Sequence, residues 1–567
     1  MVCGRAMLVQ TLLANQPMWT TTVLPAQCPQ FRAPFPAMCA LPTVLTVLAL
    51  LSLVTHPALG SGADYGLTER APVQGFLAMP QTFSIEAMPT RLSLTGAFSD
   101  PENLAITDGL IPYNVIAPLW SDGAAKTRWI AIPNDTNSPE TQIGFASTGE
   151  WSFPSGSVFV KHFELITDES NPAVRRRLET RLLVMDANGA AYGVTYKWRP
   201  DNSDADLLTT SLKESILITN TAGVHTQVWY YPSPNDCLSC HTDVAGYVLG
   251  VKSRQLNTDF SYPVSGITDN ELRSLNHIGL FNPPIDDEST IASFPKLSSV
   301  TNALASPEDR ARSYLDSNCA QCHRPGGVRG SGWDARFDTP LASQKIVNGK
   351  INKTLNIDGA AVVVPEDVWR SMIYLRLATL DTSIIMPPLA HSTLDTNAIE
   401  AMADWINSLP GVPALAPPTI YPAGGTNAQR AITVTISSPD PQATLHYTLD
   451  DSNPTTNSPA YTAPLLLSTS ATLKARASRA GYETSVPTSA QFIIYSRSLQ
   501  SPAFDSLTGR FSFQIQALPG ASYVVQASTN LVDWLPMSTN VATSVNVTII
   551  DATVNKPPIR YYRFQGP

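Results

Sequence analysis

Two short clusters of cysteine and histidine have the clearest chemical potential in this chain of 567 residues. They are Cys237-Leu-Ser-Cys240-His241 and Cys319-Ala-Gln-Cys322-His323. Residues three apart on a helical turn face the same side, so both sulfurs of a pair can reach the two vinyl groups on one side of a porphyrin. A cysteine pair of this spacing followed by histidine is typical of covalent haem attachment. The sequence therefore predicts two covalent haem c groups, each with its iron.

The axial positions of the two irons involve residues beyond the cysteine pairs. His241 and His323 follow their pairs directly and are predicted to be the proximal ligands. Met386 precedes two prolines and is predicted to be the sixth ligand of the second iron, because His/Met ligation suits outer-sphere electron transfer. His391 is the alternative at that iron and is expected to be a surface residue instead. The sixth position of the first iron stays open among several residues: His162, His225, His277 and Met185.

The cysteine count weighs against two other interpretations of the motifs. Of seven cysteines, Cys3, Cys28 and Cys39 lie in an expected leader, so the other four all belong to the two motifs. A zinc site is one alternative, but compact zinc sites place their second pair much closer in sequence. A redox-active dithiol is the other alternative.

Residues 1–60 are predicted to be a signal peptide or leader. They contain no acidic residue, and an apolar run from Leu41 to Val54 precedes small residues before Ser61. The run has the length of a signal-peptide core and is short for a bilayer span; an uncleaved anchor is the alternative. The predicted location is therefore periplasmic or extracellular. The net charge of −9, with no basic block, argues against nucleic-acid binding.

A β-rich domain that contains the first Cys-His motif is predicted over residues 61–302. Short β-branched runs broken by Gly, Pro, Asn and Asp favour antiparallel strands there. Several polar and aromatic residues recur among these strands: Trp120, Asp122, Lys126, Arg128, Lys161, Glu179, Arg181 and Trp198. We interpret them as sheet-face pairs and core aromatics, with a substrate or partner cleft as the alternative.

Four short motifs of this region resemble a family of bacterial dihaem c-type cytochromes with a β-rich N-terminal domain. They are Pro118-Leu-Trp-Ser-Asp-Gly123, Glu179-Thr-Arg-Leu-Leu183, Cys237-Leu-Ser-Cys-His241 and Arg254-Gln-Leu-Asn257. The resemblance implies an electron-transfer role and says little about chemistry at the first motif.

Residues 303–412 are predicted to be helical. Ser306-Pro307-Glu308-Asp309 is a helix start, a second helix is expected from Pro365, and a third from Asp395 to Leu409 at helical spacing. A cysteine-bearing helix, the Met386-Pro-Pro segment and a closing amphipathic helix together resemble a class I cytochrome c domain. That resemblance implies an all-α fold for this segment.

A proline-rich join after Leu409 leads to two predicted all-β modules, over residues 413–497 and 498–567. The first resembles the small β-sandwich at the C-terminus of chitobiase and β-hexosaminidase-type enzymes, through segments such as Ala443-Thr-Leu-His-Tyr-Thr-Leu449. The second resembles β modules appended to large secreted bacterial proteins. Neither contains a catalytic constellation, and both are interpreted as spacers or surface adaptors.

The sequence thus predicts an exported multidomain cytochrome that transfers electrons between a redox donor and an acceptor, both expected to be proteins. Whether the chain is an enzyme is left open. One alternative is a peroxidase-like dihaem enzyme in which the first iron keeps an open position. The other is a scaffold that contacts a glycan or cell surface through its C-terminal modules.

Overall fold

The fold is described from a computed structural model that defines residues 64–134, 141–327, 332–389, 391–428, 430–495, 498–553 and 559–566. The predicted leader, residues 1–60, lies outside these residues. The described chain is mostly β-sheet and consists of a β domain, a helical segment and two C-terminal β modules. Over the described residues, no helix is both long and apolar enough to cross a membrane.

The β domain contains fourteen strands and three short helices. The strands are β1 (Phe98–Asp100), β2 (Ala105–Ile106), β3 (Ile111–Pro112), β4 (Ala125–Ala131), β5 (Ile143–Gly144), β6 (Val158–Ile166), β7 (Arg175–Met185), β8 (Ala191–Trp198), β9 (Ala205–Leu208), β10 (Leu212–Asn220), β11 (Gly223–Tyr231), β12 (Asp259–Ser261), β13 (Thr268–Asn270) and β14 (Phe281–Asn282). The helices are α1 (Pro234–Cys237), α2 (Ser253–Leu256) and α3 (Glu271–His277).

A six-stranded antiparallel sheet in the order β3-β4-β6-β7-β8-β9 organises this domain. Apolar cores pack on both of its faces. One face includes Ile130, Phe159 and Leu183, which pack against residues that follow the first motif, such as Val251. The opposite face holds a second core that includes Trp198. Strands β10 and β11 form a separate hairpin.

The helical segment contains four helices: α4 (Pro307–Asn318), α5 (Leu341–Gln344), α6 (Met372–Leu377) and α7 (Thr396–Ser408). Helices α4 and α7 contribute to one apolar core. The prediction of an all-α class I cytochrome c domain is nevertheless wrong, since most of the chain between α4 and α7 is not helical. Lys345, Asn348 and Glu366 adopt positive φ values of 56°, 54° and 60°, which a right-handed helix excludes. The helix expected from Pro365 therefore begins only at Met372.

The C-terminal region is all-β, as predicted. Its first module contains β15 (Thr419–Tyr421), β16 (Thr426–Ala428), β17 (Ile432–Ser437), β18 (Thr444–Thr448), β19 (Leu465–Leu467), β20 (Ala471–Ser478) and β21 (Thr488–Ile494). Its second contains β22 (Gln500–Asp505), β23 (Arg510–Gln516), β24 (Ser522–Ser528), β25 (Leu535–Val541), β26 (Asn546–Asp551) and β27 (Tyr561–Gln565). In each module two sheets enclose one apolar core, as in a β-sandwich.

Candidate functional site

The first Cys-His motif is positioned by a local helix cap. After β11 the chain forms a capping box, in which Ser233 Oγ accepts from the Asp236 backbone N–H and the Asp236 carboxylate accepts from the Ser233 N–H. Pro234 occupies the first helical position, where its missing N–H costs nothing. The turns then continue: the backbone N–H groups of Cys240 and His241 both donate to the Cys237 carbonyl, at 3.2 and 3.0 Å.

The second motif has the same backbone geometry at the end of α4. The Ser306 hydroxyl caps that helix by accepting from the Asp309 N–H at 3.0 Å. At its other end, the N–H groups of Cys322 and His323 donate to the Cys319 carbonyl, at 3.1 and 2.8 Å. The spacing of the motif therefore produces one local conformation at both sites.

The two motifs, far apart in sequence, lie side by side. The sulfur of Cys322 is 3.9 Å from the carbonyl oxygen of Ser239, which belongs to the first motif. Arg324, directly after the second motif, donates from Nη1 to the carbonyl of Val244 at 3.0 Å. We call this grouping the paired-motif centre; it consists of Cys237, Cys240, His241, Cys319, Cys322 and His323. Neither motif alone predicts this contact, because it joins segments more than 80 residues apart.

Three of the four thiols of the centre are poor nucleophiles at neutral pH. Burial raises the pKa of Cys237 and Cys240 to about 11 each, outweighing the nearby Arg181 charge, and raises that of Cys319 to about 12. The thiolate is the reactive form of cysteine, so these values disfavour thiol–disulfide catalysis. This weakens the redox-dithiol alternative.

The histidines of the centre are neutral at physiological pH. Burial lowers the pKa of His241 and of His323 to about 4. The Nδ1 of His241 is hydrogen-bonded to the carbonyl of Tyr247 at 2.6 Å, so it is the donor and Nε2 holds the lone pair. The His323 ring stacks on Trp333 with ring centres 4.2 Å apart. Each imidazole is thus held in one orientation by its surroundings.

Met386 lies in the loop between α6 and α7, where its side chain is half-buried and its backbone N–H donates to the Arg376 carbonyl at 3.1 Å. His391 is close to the Met386 backbone and to Asp122. Both ring nitrogens of His391 are buried without a hydrogen-bond partner among the described residues. His391 is thus only partly exposed, with its ring nitrogens covered.

The other candidate histidines have different surroundings. His162 is buried on the sheet face opposite to Lys161 and bonds the Thr180 hydroxyl at 2.9 Å. His225 is half-exposed on the β10–β11 hairpin, 3.8 Å from a Glu169 oxygen. His277 stacks on Tyr65 with ring centres 3.6 Å apart. The structure gives each of these histidines a partner outside the paired-motif centre.

The β domain and the helical segment are joined around the centre by the motifs noted in the sequence. The Trp120 backbone N–H donates to the Asn318 side chain at 2.7 Å, at the end of α4. An Asp122 oxygen accepts from the backbone N–H groups of Ser392 and Thr393, at 2.7 and 2.9 Å. Arg254 contributes a buried ion network described below. These contacts fix the two motifs relative to each other.

The cofactor prediction requires a correction. Over the ranges that the structure describes, no group of three or more His, Cys, Asp or Glu side chains could hold a metal ion. By this finding the prediction of two covalent haem c groups with their iron is wrong. What the structure places together is a set of buried thiols and neutral imidazoles.

Comparison with known proteins identifies one part of the chain. A family model described as the chitobiase/beta-hexosaminidase C-terminal domain matches residues 422–489. Those residues form a β domain of that type, which confirms the prediction for the first C-terminal module. No curated protein matches the chain. A solved chain described as "Cytokine receptor complex - Crystal form 2" is 14% identical, with a TM-score of 0.12, over 26% of this chain and 86% of that one. At that TM-score the likeness supports no inference.

Proposed function

We propose that this chain is an exported electron-transfer protein and that electrons pass through the paired-motif centre. The observation that supports the proposal most is the 3.9 Å approach of the Cys322 sulfur to Ser239 in the other motif. Redox chemistry at the two motifs would take place at short range, which favours rapid exchange of electrons between them. The motif pattern resembles that of c-type cytochromes, and this resemblance rests on the motifs alone.

The raised pKa values of three thiols argue against thiol chemistry at the centre. With pKa values of about 11 for Cys237 and Cys240 and about 12 for Cys319, these thiols stay protonated at neutral pH and are poor nucleophiles. The neutral imidazoles of His241 and His323, held by Tyr247 and Trp333, add fixed, uncharged donor atoms beside them.

The test is a redox titration of the exported protein, followed by absorbance, with the mass of the intact chain measured in parallel. Two reversible transitions are expected, and the mass shows whether the cysteines are free or modified. The variants Cys237→Ser/Cys240→Ser and Cys319→Ser/Cys322→Ser serve as controls for each other, and each should lose one transition. A protein without a reversible transition, or with the same transitions in both variants, contradicts the proposal.

A second candidate function is binding of a carbohydrate surface through the first C-terminal module. The family match over residues 422–489 favours it. A cavity of about 490 Å³ also lies where this module meets the helical segment, and its lining includes Asp358, Arg370, Arg476 and Glu483. Retention of the full chain on chitin, compared with a variant that ends at residue 412, tests this function. Equal retention of the two proteins argues against it.

A further inference from the structure

Three basic side chains form a row across the central sheet. Arg128 on β4 lies directly opposite Lys161 on β6, and Lys161 lies directly opposite Arg181 on β7. Residues opposite each other on neighbouring strands project from the same face, with side chains in contact range. Like charges in such positions repel each other. Lys126, two residues before Arg128, projects from the same face and adds a fourth cation.

Only one of these four cations is neutralised by a carboxylate. Arg181 makes a two-pronged contact with Glu179, with nitrogen–oxygen distances of 2.5 and 3.0 Å. Lys126 donates to the carbonyl of Leu119 at 2.7 Å. Arg128 meets amide oxygens, among them Asn114 Oδ1 at 3.3 Å.

Lys161 has a different kind of neighbour, the ring of Phe163, whose centre is 5.1 Å from Nζ. Within the described residues, no carboxylate oxygen lies within 4.0 Å of the Lys126, Arg128 or Lys161 nitrogens. Three positive charges therefore share one patch of the sheet without a negative partner.

The cations lie at buried or half-buried positions and not on an open surface. Arg128 is 5% exposed, while Lys126 and Lys161 are only partly exposed. Burial, with the charges of the neighbouring cations, lowers the pKa of Lys126 to about 7 and that of Lys161 well below its ordinary value. Unpaired buried charge is costly, and the lysines reduce this cost by releasing their protons more readily, whereas a bound anion would restore their charge. A site of this kind is explained if an anion occupies it in the working protein.

The row of cations adjoins the paired-motif centre. Gly193 on β8 lies on the same sheet face as Arg181, because β7 and β8 pair Leu183 with Gly193 and Arg181 with Thr195. A Cβ on Gly193 would lie 2.8 Å from the Cys237 sulfur. The charges of Lys161 and Arg181 also contribute to the lowered pKa of His241, after burial. An anion bound to the row would therefore lie between the sheet and the first motif.

The spacing of the charges selects the class of anion. Arg128 and Lys161 are on adjacent strands, whose backbones lie roughly 4.8 Å apart. Lys126 is two residues before Arg128 on β4, which separates their Cα atoms by roughly 6.8 Å. A single tetrahedral anion would meet all three only if their side chains converged on one point. Two carboxylates on one small molecule span such a distance, and the guanidinium fork of Arg128 suits a carboxylate.

We propose that Lys126, Arg128 and Lys161 form a binding site for a small dicarboxylate beside His241. This site does not depend on electron transfer, and its failure or success is measured separately. The ligand expected there is a diffusible dicarboxylic acid.

Isothermal titration calorimetry of the full chain with succinate tests the site, with inorganic phosphate as the comparison ligand. Succinate should bind one to one and more tightly than phosphate. The variant Lys161→Met should bind it about 10- to 150-fold more weakly, as expected for a lost charge-assisted contact. Lys213→Met removes an exposed lysine on β10 and should bind succinate normally. Thermal unfolding of Lys161→Met without ligand should give a melting temperature no lower than that of the parent protein, which excludes misfolding as the cause.

The same titration on the Cys237→Ser/Cys240→Ser variant tests whether the site depends on the thiols of the first motif. Succinate should bind this variant as tightly as it binds the parent. The proposal is overturned if succinate does not bind the parent, if phosphate binds as tightly, or if Lys161→Met leaves the affinity unchanged.

Discussion

Replacing Arg254 with methionine should loosen the junction between the β domain and the helical segment. Arg254 is 2% exposed and its guanidinium is in ion pairs with three carboxylates. The Nε of Arg254 is 2.7 Å from a carboxylate oxygen of Asp316 on α4. Its Nη1 is 2.6 Å from an oxygen of Asp338, and its Nη2 is 3.3 Å from an oxygen of Glu150. Lys252 and Arg324 complete the network, so three cations balance three carboxylates.

The loss of stability expected in Arg254→Met follows from this geometry. The methionine side chain in Arg254→Met would fill much of the volume of the arginine stem. It would leave the Asp316 carboxylate, which is fully buried, with Lys252 as its remaining ion-pair partner. Breaking a buried ion pair on one side typically costs about 3–5 kcal/mol. At about 2–4 °C per kcal/mol for a unit of 150–250 residues, the melting temperature should fall by about 6–20 °C.

Differential scanning calorimetry of the full chain measures this change. The melting temperature of the β domain and the helical segment, which share the network, should fall, whereas that of the C-terminal modules should stay the same. Arg199→Met removes the exposed pair with Asp206 and is the matched control; it should cost about 0–1 kcal/mol. Adding Asp316→Asn to Arg254→Met restores the balance of charges and should recover part of the loss. The reasoning is refuted if Arg254→Met lowers the melting temperature no more than Arg199→Met does.

The network also gives an acid signature. Burial alone would raise the pKa of Asp316, but the charges of Lys252 and Arg254, with hydrogen bonds from Arg254 and the Phe337 N–H, lower it to about 2. A carboxyl with a lowered folded-state pKa contributes stability that is present above its unfolded pKa of about 3.9 and is lost as the pH falls towards 2. In Arg254→Met this contribution shrinks, so the variant should be less sensitive to pH between about 4 and 2, at a lower overall stability.

Two further predictions concern single buried positions. Burial raises the pKa of Glu271 to about 8. Because the folded state then holds a proton that the unfolded state releases, stability should fall as the pH rises from about 4.5 through 8. Glu271→Gln should flatten this slope in melting temperatures measured from about pH 5 to 9. An unchanged slope in the variant would contradict the assignment. Gly193→Ala places a Cβ 2.8 Å from the Cys237 sulfur and should cost about 1–3 kcal/mol by overpacking, measured by thermal unfolding. Gly332→Ala, where a Cβ meets nothing within 4 Å, is its control, and an equal effect of both would contradict the clash.

Local features of the chain were predictable where a single stretch contains the complete signal. The closing helix was expected from Asp395 to Leu409 and is found at Thr396–Ser408, because Asp395 caps it and its apolar residues recur at helical spacing. The C-terminal strands were also predictable from their alternation. The helix expected from Pro365 was not, because Glu366 adopts a left-handed conformation that pairing between Val364 and Asp367 accommodates.

The sequence by itself determined the shape of each Cys-His motif, since the caps and the hydrogen bonds to Cys237 and Cys319 all arise within a few residues. Only the tertiary structure decided that the two motifs meet, and that Arg128, Lys161 and Arg181 share one row. Strand register is set by pairing between distant segments, and a shift of one residue would turn every side chain to the other face. No local pattern contains that information, so the site that these cations form became visible only in the folded chain.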